Sequence, residues 1–174
     1  MAEHEIMTDA IIFLDQLVIE DVKTLCDMTV ETGFFSNDEV LIVEELAWSF
    51  ITEGAESDYS FLLAAPGCAQ HDRPFAFACF GPIPCTNGSW ELYWIVVDQH
   101  SQGCGFGRRL NNEMERRIRA MGGRKIFLET SSRTQYLSTR GFYEACGYQM
   151  ESRLVDYYEQ GEDCLVYSKI LKRP

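Results

Sequence analysis

The centre of the sequence holds a helical segment between two strand-like runs. This order restricts the number of possible folds more than any other pattern in the sequence. Residues 89–98, SWELYWIVVD, and residues 125–130, KIFLET, have the apolar composition of buried strands. Between them, apolar residues recur at helical spacing over residues 106–121, and two glycines follow. A strand, a helix and a second strand in this order predict a parallel crossover within one sheet.

Shorter patterns on both sides extend this crossover to a domain that mixes helices and strands. Further strands are predicted at residues 11–15, 60–66, 74–81, 148–158 and 164–171, and further helices at residues 18–33, 36–54 and 139–146. Glycine, proline and asparagine in residues 67–73 and 82–88 are typical of hairpin turns, so an antiparallel meander precedes the crossover. The predicted order is β-α-α-β-β-β-α-β-α-β-β.

Length and composition indicate one globular domain over residues 1–174. The chain is 46% apolar and 24% charged, and no apolar run approaches the ~20 residues that cross a bilayer. The first ten residues, MAEHEIMTDA, are acidic where a signal peptide has basic residues. We therefore expect a cytoplasmic protein that has no membrane partner.

Charge is distributed unevenly along the chain. The net charge is −12, and residues 1–60 hold fifteen Asp or Glu against a single base, Lys23. This acidic third repels polyanions, so nucleic acid is not an expected partner. Residues 108–125 hold seven of the fifteen Lys and Arg. That basic cluster serves either one small phosphorylated ligand or an ordinary solvated helix face, and the pattern leaves both open.

The cysteines and histidines do not predict a metal site. Seven cysteines make an odd count, and no two of them have the Cys-x-x-Cys spacing of zinc or redox motifs, which indicates reduced thiols. The three histidines, at positions 4, 71 and 100, are expected on the surface or in loops. We therefore expect no bound metal.

A glycine-rich stretch, QGCGFGRRL at residues 102–110, precedes the central helix. It lacks the Gly-Lys-Ser/Thr ending of a nucleoside triphosphate loop. A dinucleotide fingerprint fits poorly, because Arg108 stands at the third glycine position and five residues separate Val97 from Gly103, although Glu129 lies at a suitable distance for a ribose contact. Two interpretations of the stretch remain. It is either a plain turn, or a loop whose backbone N–H groups bind a pyrophosphate at a helix N-terminus.

Two motifs in this order resemble the GCN5-related N-acetyltransferase superfamily. Gln102, Gly105 and Gly107 match its acetyl-CoA loop, and residues 140–148, RGFYEACGY, are similar to its second signature. The resemblance covers residues 60–171 well and residues 1–59 only in the order of elements. It implies an α+β fold, an α/β/α sandwich with a mixed sheet of six to seven strands and four helices.

The resemblance also implies which residues bind the co-substrate, acetyl-CoA. Backbone N–H groups of the loop would hold the pyrophosphate, contributed by Gln102, Gly103, Cys104, Gly105, Phe106, Gly107 and Arg108. The pantetheine amides would pair with Ile95, Val96 and Val97 like an added strand. An asparagine that many members carry after the strand at 125–130 is absent here, so Ser131, Ser132 or Tyr136 must replace it or the contact is missing.

Members of the superfamily transfer an acetyl group to a primary amine by direct attack in a ternary complex. Tyr143 is the expected acid for the departing thiolate, and its alternative role is to anchor its helix to the sheet. Glu91 is the expected base, and its alternative role is a cross-strand ion pair or an edge charge. Alternation puts Glu91 on one face with Tyr93, Ile95 and Val97 unless a bulge intervenes. A covalent acyl-enzyme at Cys104 is not expected.

The acceptor is the least defined part of this prediction. The second helix carries acidic residues that favour a cationic small-molecule amine or simply form a solubilising face: Asp38, Glu39, Glu44 and Glu45. Trp94, Tyr157 and Tyr158 line the acceptor pocket or belong to the core. A catalytically silent acyl-CoA-binding module and a protein acetyltransferase stay open as alternatives. Homodimers are common in this fold, and the sequence leaves the oligomeric state open.

Overall fold

The computed structural model describes residues 11–67 and 73–172. The acidic first ten residues, most of the predicted turn at 67–73, and with them the histidines at 4 and 71, lie outside the described residues. The order of elements agrees with the predicted order, and the bounds are β1 Ile11–Leu14, α1 Ile19–Glu31, α2 Asn37–Glu53, β2 Ser60–Pro66, β3 Ala76–Pro82, β4 Ser89–Val97, α3 Phe106–Ala120, β5 Lys125–Ser131, α4 Leu137–Ala145, β6 Gln149–Glu159 and β7 Glu162–Ile170.

These strands form a mixed seven-stranded sheet in the order β1-β2-β3-β4-β5-β7-β6. The pairing of β4 with β5 is parallel, and all other neighbours are antiparallel. The predicted parallel crossover through α3 is therefore confirmed, as is the antiparallel meander that precedes it.

The parallel pair is short, and the two strands separate after three residues. Ser89, Trp90 and Glu91 pair with Lys125–Phe127, and no pairing between β4 and β5 continues beyond that point. From Leu92 to Val97, β4 keeps its pairing with β3 on the other side. One edge of β4 is thus left open toward β5, where another backbone could supply hydrogen bonds.

A β-bulge at Tyr93 interrupts the alternation of side chains along β4. Cys79 pairs with Trp94 and Phe80 with Leu92, so Tyr93 is the extra residue. Before the bulge, Leu92 packs in the core beneath α3, whereas Glu91 lies on the opposite face with Tyr93. After it, Ile95 joins the α3 side. Glu91 therefore does not share a face with Ile95 and Val97, which corrects the expectation from simple alternation.

Two apolar cores lie on the two faces of the sheet. Leu110, Met114 and Ile118 of α3 are completely buried on one face, and α4 joins them there. Leu25 of α1 and Ala47 of α2 are completely buried on the other face. Burying one such aliphatic side chain contributes about 1.5–3 kcal/mol, so the stripe at i, i+4 and i+8 fixes α3 on the sheet. The predicted α/β/α layering is confirmed.

The polar side of α3 is a network of paired charges. Arg116 and Arg117 bind Glu113, and Arg117 also reaches Asp15, with an Nη1–Oδ2 distance of 2.6 Å. The basic residues of the helix thus form an ion-paired face. This outcome favours the second of the two open interpretations for these arginines, a solvated helix face.

A second group of charges on α3 is buried. The Glu115 carboxylate, 3% exposed, accepts hydrogen bonds from Lys169 Nζ at 2.6 Å and Asn111 Nδ2 at 2.7 Å, and Arg119 lies 3.1 Å away. Lys169 also donates to the carbonyl oxygen of Cys146, the residue that follows α4. These bonds tie α3, β7 and the end of α4 together.

Candidate active site

A cavity of about 1090 Å³ opens where β4 and β5 separate. Its walls come from β4, the loop at residues 101–108, β5 with the segment that follows it, α4, and the connection between α1 and α2. A cleft that runs through a sheet exposes groups from both of its faces, so this position collects side chains from distant parts of the chain. We refer to residues 101–108 as the glycine loop.

The glycine loop turns its backbone N–H groups away from other acceptors. Gly103 and Gly105 have φ values of +76° and +80°, conformations that favour glycine, and Gly105 is the N-cap of α3. From residue 103 to residue 108, no backbone N–H donates a hydrogen bond to another residue in the described part of the chain. Free N–H groups at a helix N-terminus form an anion-binding site.

Close packing, and not a positive φ angle, favours glycine at position 107. A Cβ atom there would lie 3.3 Å from the Phe142 ring and 3.4 Å from Val97 Cγ2. The first turn of α3 therefore approaches both α4 and the end of β4 closely, and any larger residue would push them apart. This contact fixes the loop against the open edge of β4.

Gln102 closes the loop onto β4 through its side chain. Its Nε2 atom donates to the carbonyl oxygen of Val97 at 3.0 Å, and Asp98 caps the following turn by accepting from the N–H of His100. The carbonyl of Val97 is thereby engaged within the protein. Ile95 and Val96 keep their places along the open edge of β4, and both line the cavity.

The residues expected to bind acetyl-CoA are brought together, with Cys104 as the exception. The other residues predicted for this role line the same cavity: Ile95, Val96, Val97, Gln102, Gly103, Gly105, Phe106, Gly107, Arg108, Ser131 and Tyr136. The side chain of Cys104 is exposed and does not line it. A contribution of Cys104 is thus limited to its backbone.

Ser131 and Tyr136 use their hydroxyl groups within the protein. Ser131 Oγ donates to Glu162 Oε1 at 2.6 Å and accepts from the N–H of Arg133 at 3.0 Å. The Tyr136 hydroxyl donates to the carbonyl oxygen of Phe34 at 3.1 Å. The segment after β5 is in this way fixed to the β6–β7 turn and to the connection between α1 and α2.

Tyr143 of α4, a buried residue, presents its hydroxyl to the cavity. The residue is 7% exposed, and its hydroxyl makes no hydrogen bond to any residue that the structure describes, unlike Tyr148, which donates to Asn111, and Tyr167, which donates to Glu144. Burial raises the pKa of Tyr143 well above that of a free tyrosine. A protonated hydroxyl that has no partner in the described residues and is accessible from the cavity is suited to donate a hydrogen bond to a bound ligand.

Five carboxylates line another part of the cavity, and we call them the carboxylate wall: Glu39, Glu91, Glu129, Glu159 and Glu162. Glu129 of β5 lies beside Glu91 of β4, and burial first and the Glu129 charge second raise the pKa of Glu91. Burial and the Glu91 carboxylate in turn raise the pKa of Tyr93 to about 12.

Aromatic residues complete the cavity around the carboxylate wall. Phe35 packs against Trp94 with ring centroids 4.9 Å apart, and Phe34 packs against Tyr136 at 5.8 Å. Trp94 and Tyr158 line the cavity, and Trp94 also packs against the core on the α1–α2 face of the sheet, whereas Tyr157 is exposed outside the cavity.

Of the acidic residues predicted on the second helix, only Glu39 reaches the cavity. Asp38, Glu44 and Glu45 are exposed elsewhere. Sequence reasoning did not assign Glu129 to this site. The available signal was a carboxylate within an otherwise apolar strand, and its position became clear only from the pairing of β4 with β5.

Metal sites and membrane spans were also sought among residues 11–67 and 73–172. No group of three or more His, Cys, Asp and Glu side chains is arranged there to hold a metal ion. No helix in the same residues combines the length and the apolar character needed to cross a membrane.

Comparisons with known proteins agree with this geometry. The family model described as Acetyltransferase (GNAT) family matches residues 25–148. A crystal structure of a putative acetyltransferase of the GNAT family from Desulfovibrio desulfuricans is 35% identical over 94% of this chain and 100% of that chain, with a TM-score of 0.88. Among proteins with curated functions, none matches the chain.

Two more distant structures share the fold. An aminoglycoside 6'-N-acetyltransferase complexed with coenzyme A is 19% identical over 95% of this chain and 99% of that chain, with a TM-score of 0.70. A chimera of the spermidine N-acetyltransferase SpeG from Vibrio cholerae and hSSAT is 16% identical over 92% and 95%, with a TM-score of 0.76. Taken together with the family match, these results show that the chain belongs to the GNAT family of acetyltransferases.

Proposed function

We propose that this GNAT acetyltransferase transfers an acetyl group from acetyl-CoA to a primary amine of a small molecule by direct attack in a ternary complex. One observation carries the proposal: the glycine loop, the hydroxyl of Tyr143 and the carboxylate of Glu91 line one continuous cavity. The fold neighbours that act on an aminoglycoside and on spermidine support a small-molecule acceptor.

The glycine loop fits the pyrophosphate of the donor. Its N–H groups from Gly103 to Arg108 are free of partners within the described residues, and the N-terminus of α3 adds about half a positive charge at the same point. The open edge of β4 at Ile95 and Val96 fits amide groups that pair like a neighbouring strand. The aminoglycoside acetyltransferase that shares this fold was solved with coenzyme A, which supports the same ligand class here.

Tyr143 and Glu91 are suited to the two proton transfers of the reaction. Glu91 takes a proton from the ammonium form of the acceptor, because only the free amine can attack the acetyl carbonyl carbon. The C–N bond forms, and the C–S bond breaks with its electron pair on sulfur. Tyr143 protonates the sulfur as the C–S bond breaks, and its raised pKa keeps the hydroxyl protonated at neutral pH before this step. The nitrogen of the new amide gives up its second proton, which replaces the proton lost by Tyr143. One proton thus ends on the thiol, and the proton taken by Glu91 is released to solvent.

The replacement Tyr143→Phe tests this proposal. We expect kcat for acetyl transfer to fall by about 10²-fold, the effect typical of removing a general acid, while the affinity for acetyl-CoA stays the same. Release of free thiol over a panel of primary amines measures the first quantity, and calorimetric titration measures the second. Tyr157→Phe is the matched control, because Tyr157 is exposed and lies outside the cavity.

Two outcomes would contradict the proposal in different ways. Unchanged kcat in Tyr143→Phe would remove Tyr143 from the acid role. Tight binding of acetyl-CoA without turnover of any amine would instead support an acyl-CoA-binding module that lacks catalysis.

A further inference from the structure

The carboxylate wall contains two kinds of carboxylate, distinguished by their partners. Glu39 accepts hydrogen bonds from the N–H and hydroxyl of Ser36, at 2.8 and 2.9 Å. Glu159 and Glu162 both bind the guanidinium of Arg133, and Glu162 also accepts the hydroxyl of Ser131.

Glu91 and Glu129 lack such compensation. Within residues 11–67 and 73–172, neither of them has a Lys, Arg or His side chain within 4.0 Å. The groups that surround Glu129 are the hydroxyl of Tyr158 and the thiol of Cys164, which carry no positive charge. Glu39 also lacks a basic partner, but Ser36 hydrogen-bonds to it. Glu91 and Glu129 are therefore the two carboxylates of the wall that have neither a basic partner nor a hydrogen bond from an N–H or O–H group among the described residues.

Strand register brings these two carboxylates to the same face of the sheet. Glu91 pairs with Phe127, and Glu129 is the next residue of β5 that points to the same side as Phe127. The strands separate at this point, so both carboxylates border the cavity and not a closed ladder. Glu91 is half-buried, whereas Glu129 is exposed to solvent. A cation between them is attracted because it relieves their mutual repulsion and the lost hydration of Glu91.

A third group indicates that the same space is built for a ligand. The hydroxyl of Tyr143, in a residue that is more than nine-tenths buried, reaches the cavity without a partner among the described residues. Among the described residues, no buried side-chain polar atom lacks a hydrogen-bond partner, so this unpartnered hydroxyl is accessible from the cavity, where a ligand or water can bind it. The unpaired carboxylates and the unpaired hydroxyl thus line one cavity. The hydroxyl is assigned to the sulfur of the donor, and the two carboxylates are left for the acceptor.

We propose that Glu129 is a specificity-determining residue that, together with Glu91, binds the acceptor as an ammonium ion and selects amines that carry no carboxylate beside the amino group. This inference rests on the proposed function. Glu91 accepts the proton of the ammonium, and the charge of Glu129 holds the cation in place and repels an adjacent carboxylate.

The cations of the cavity do not offset this repulsion. Arg133 is bound to Glu159 and Glu162, and Arg108 belongs to the glycine loop, where a pyrophosphate is expected. The carboxylate of an amino acid would therefore meet two uncompensated glutamates without a free guanidinium close by. An amine that lacks this carboxylate escapes the penalty.

Matched pairs of acceptors test the inference, each pair being an amino acid and its decarboxylated amine. Suitable pairs are serine with ethanolamine, ornithine with putrescine, arginine with agmatine, and tyrosine with tyramine. We expect kcat/KM of the unaltered enzyme to favour the decarboxylated member of the productive pairs by at least about tenfold, which corresponds to about 1.4 kcal/mol of like-charge repulsion. Glu129→Gln should reduce this ratio several-fold.

Two further variants make the result decisive. Glu129→Asp keeps the charge and should keep the preference, which separates an electrostatic effect from a loss of folding. Glu45→Gln removes one carboxylate from the exposed face of α2, outside the cavity, and should leave the ratio unchanged. Thermal unfolding of each variant confirms that the protein is folded.

The outcomes separate this inference from the function on which it rests. If amines are acetylated but Glu129→Gln keeps the full preference, or if amino acids are the better acceptors, the role of Glu129 is wrong and the proposed function stands. If acetyl-CoA binds and no amine of either kind is acetylated, the proposed function fails and the inference fails with it.

Discussion

The carboxylates of α3 and the two unpaired carboxylates of the cavity differ in the side chains that surround them. Glu113 and Glu115 of α3 are each bound by two or more donors from Arg, Lys or Asn side chains. Glu91 and Glu129 face the cavity without a basic partner in the described part of the molecule. The first pair holds elements together, and the second pair is left available to a ligand.

The pKa values of these groups change in opposite directions for this reason. Hydrogen bonds from Arg116, aided by Arg117, lower the pKa of Glu113 to about 2. Burial and the neighbouring Glu129 raise the pKa of Glu91. Ionisation of Glu113 therefore raises the free energy of unfolding, whereas ionisation of Glu91 lowers it, as is common for carboxylates in functional sites.

The largest expected effect concerns the buried network of α3. Lys169→Met leaves Glu115 almost fully buried with only Arg119 and Asn111 as partners, and it removes the bond to the carbonyl oxygen of Cys146. We expect the free energy of unfolding to fall by about 3 kcal/mol, as is typical when one partner of a buried pair is removed. Urea unfolding measures this change.

The exposed pair of Lys23 with Asp27 is the control for that experiment, because the side chain of Lys23 is 82% exposed. Lys23→Met should change the free energy of unfolding by less than about 0.5 kcal/mol. Equal losses for the two variants would contradict the distinction between the buried network and a surface ion pair.

The next effect concerns the cavity and should separate activity from stability. Glu91→Gln is expected to lower kcat/KM for the amine by about 10²-fold, because the base is lost. The same change should raise the thermal unfolding midpoint at neutral pH, because glutamine does not carry the charge that burial and Glu129 disfavour.

The sign of this stability gain can be checked by pH. A carboxyl group whose pKa is raised in the folded state loses its stabilising protonation as the pH rises through that pKa. The unaltered protein and Glu91→Gln should therefore converge at acidic pH and differ most at neutral pH. A variant that is less stable than the parent at neutral pH would show that Glu91 has a structural partner.

The smallest expected effect concerns Glu113. Glu113→Gln should lower the free energy of unfolding by about 1 kcal/mol at neutral pH, the sum of two helix-surface ion pairs. Because the folded pKa is near 2, the loss should shrink as the pH falls from the ordinary range of a free glutamate toward 2. Unfolding measured at several pH values tests this trend, which runs opposite to that of Glu91→Gln.

The loop that we propose binds the donor is recognisable in the sequence because its features are local. Gly103, Gly105 and Gly107 stand within one loop and act through backbone geometry, which the residue type itself determines. The apolar stripe from Phe106 to Ile118 predicted the helix α3 correctly. Met121, at the end of the predicted stripe, is instead the exposed C-cap residue of the helix.

The carboxylate wall could not be predicted in this way because its five members come from five separate elements. Glu129 became a partner of Glu91 only through the three-residue parallel pairing and the separation of the strands after it. The bulge at Tyr93 changed which side chains share a face. The family resemblance implies a bulge in this strand, but no local pattern gives its position.

The sequence by itself determined the order of the elements, the parallel crossover and the glycine loop, because hydrophobic periodicity and glycine conformation are local properties. Only the tertiary structure decided which carboxylates are neutralised and which remain open to a ligand. That distinction depends on strand register and on the positions of Arg133 and Lys169, and both arise from contacts between residues far apart in the chain.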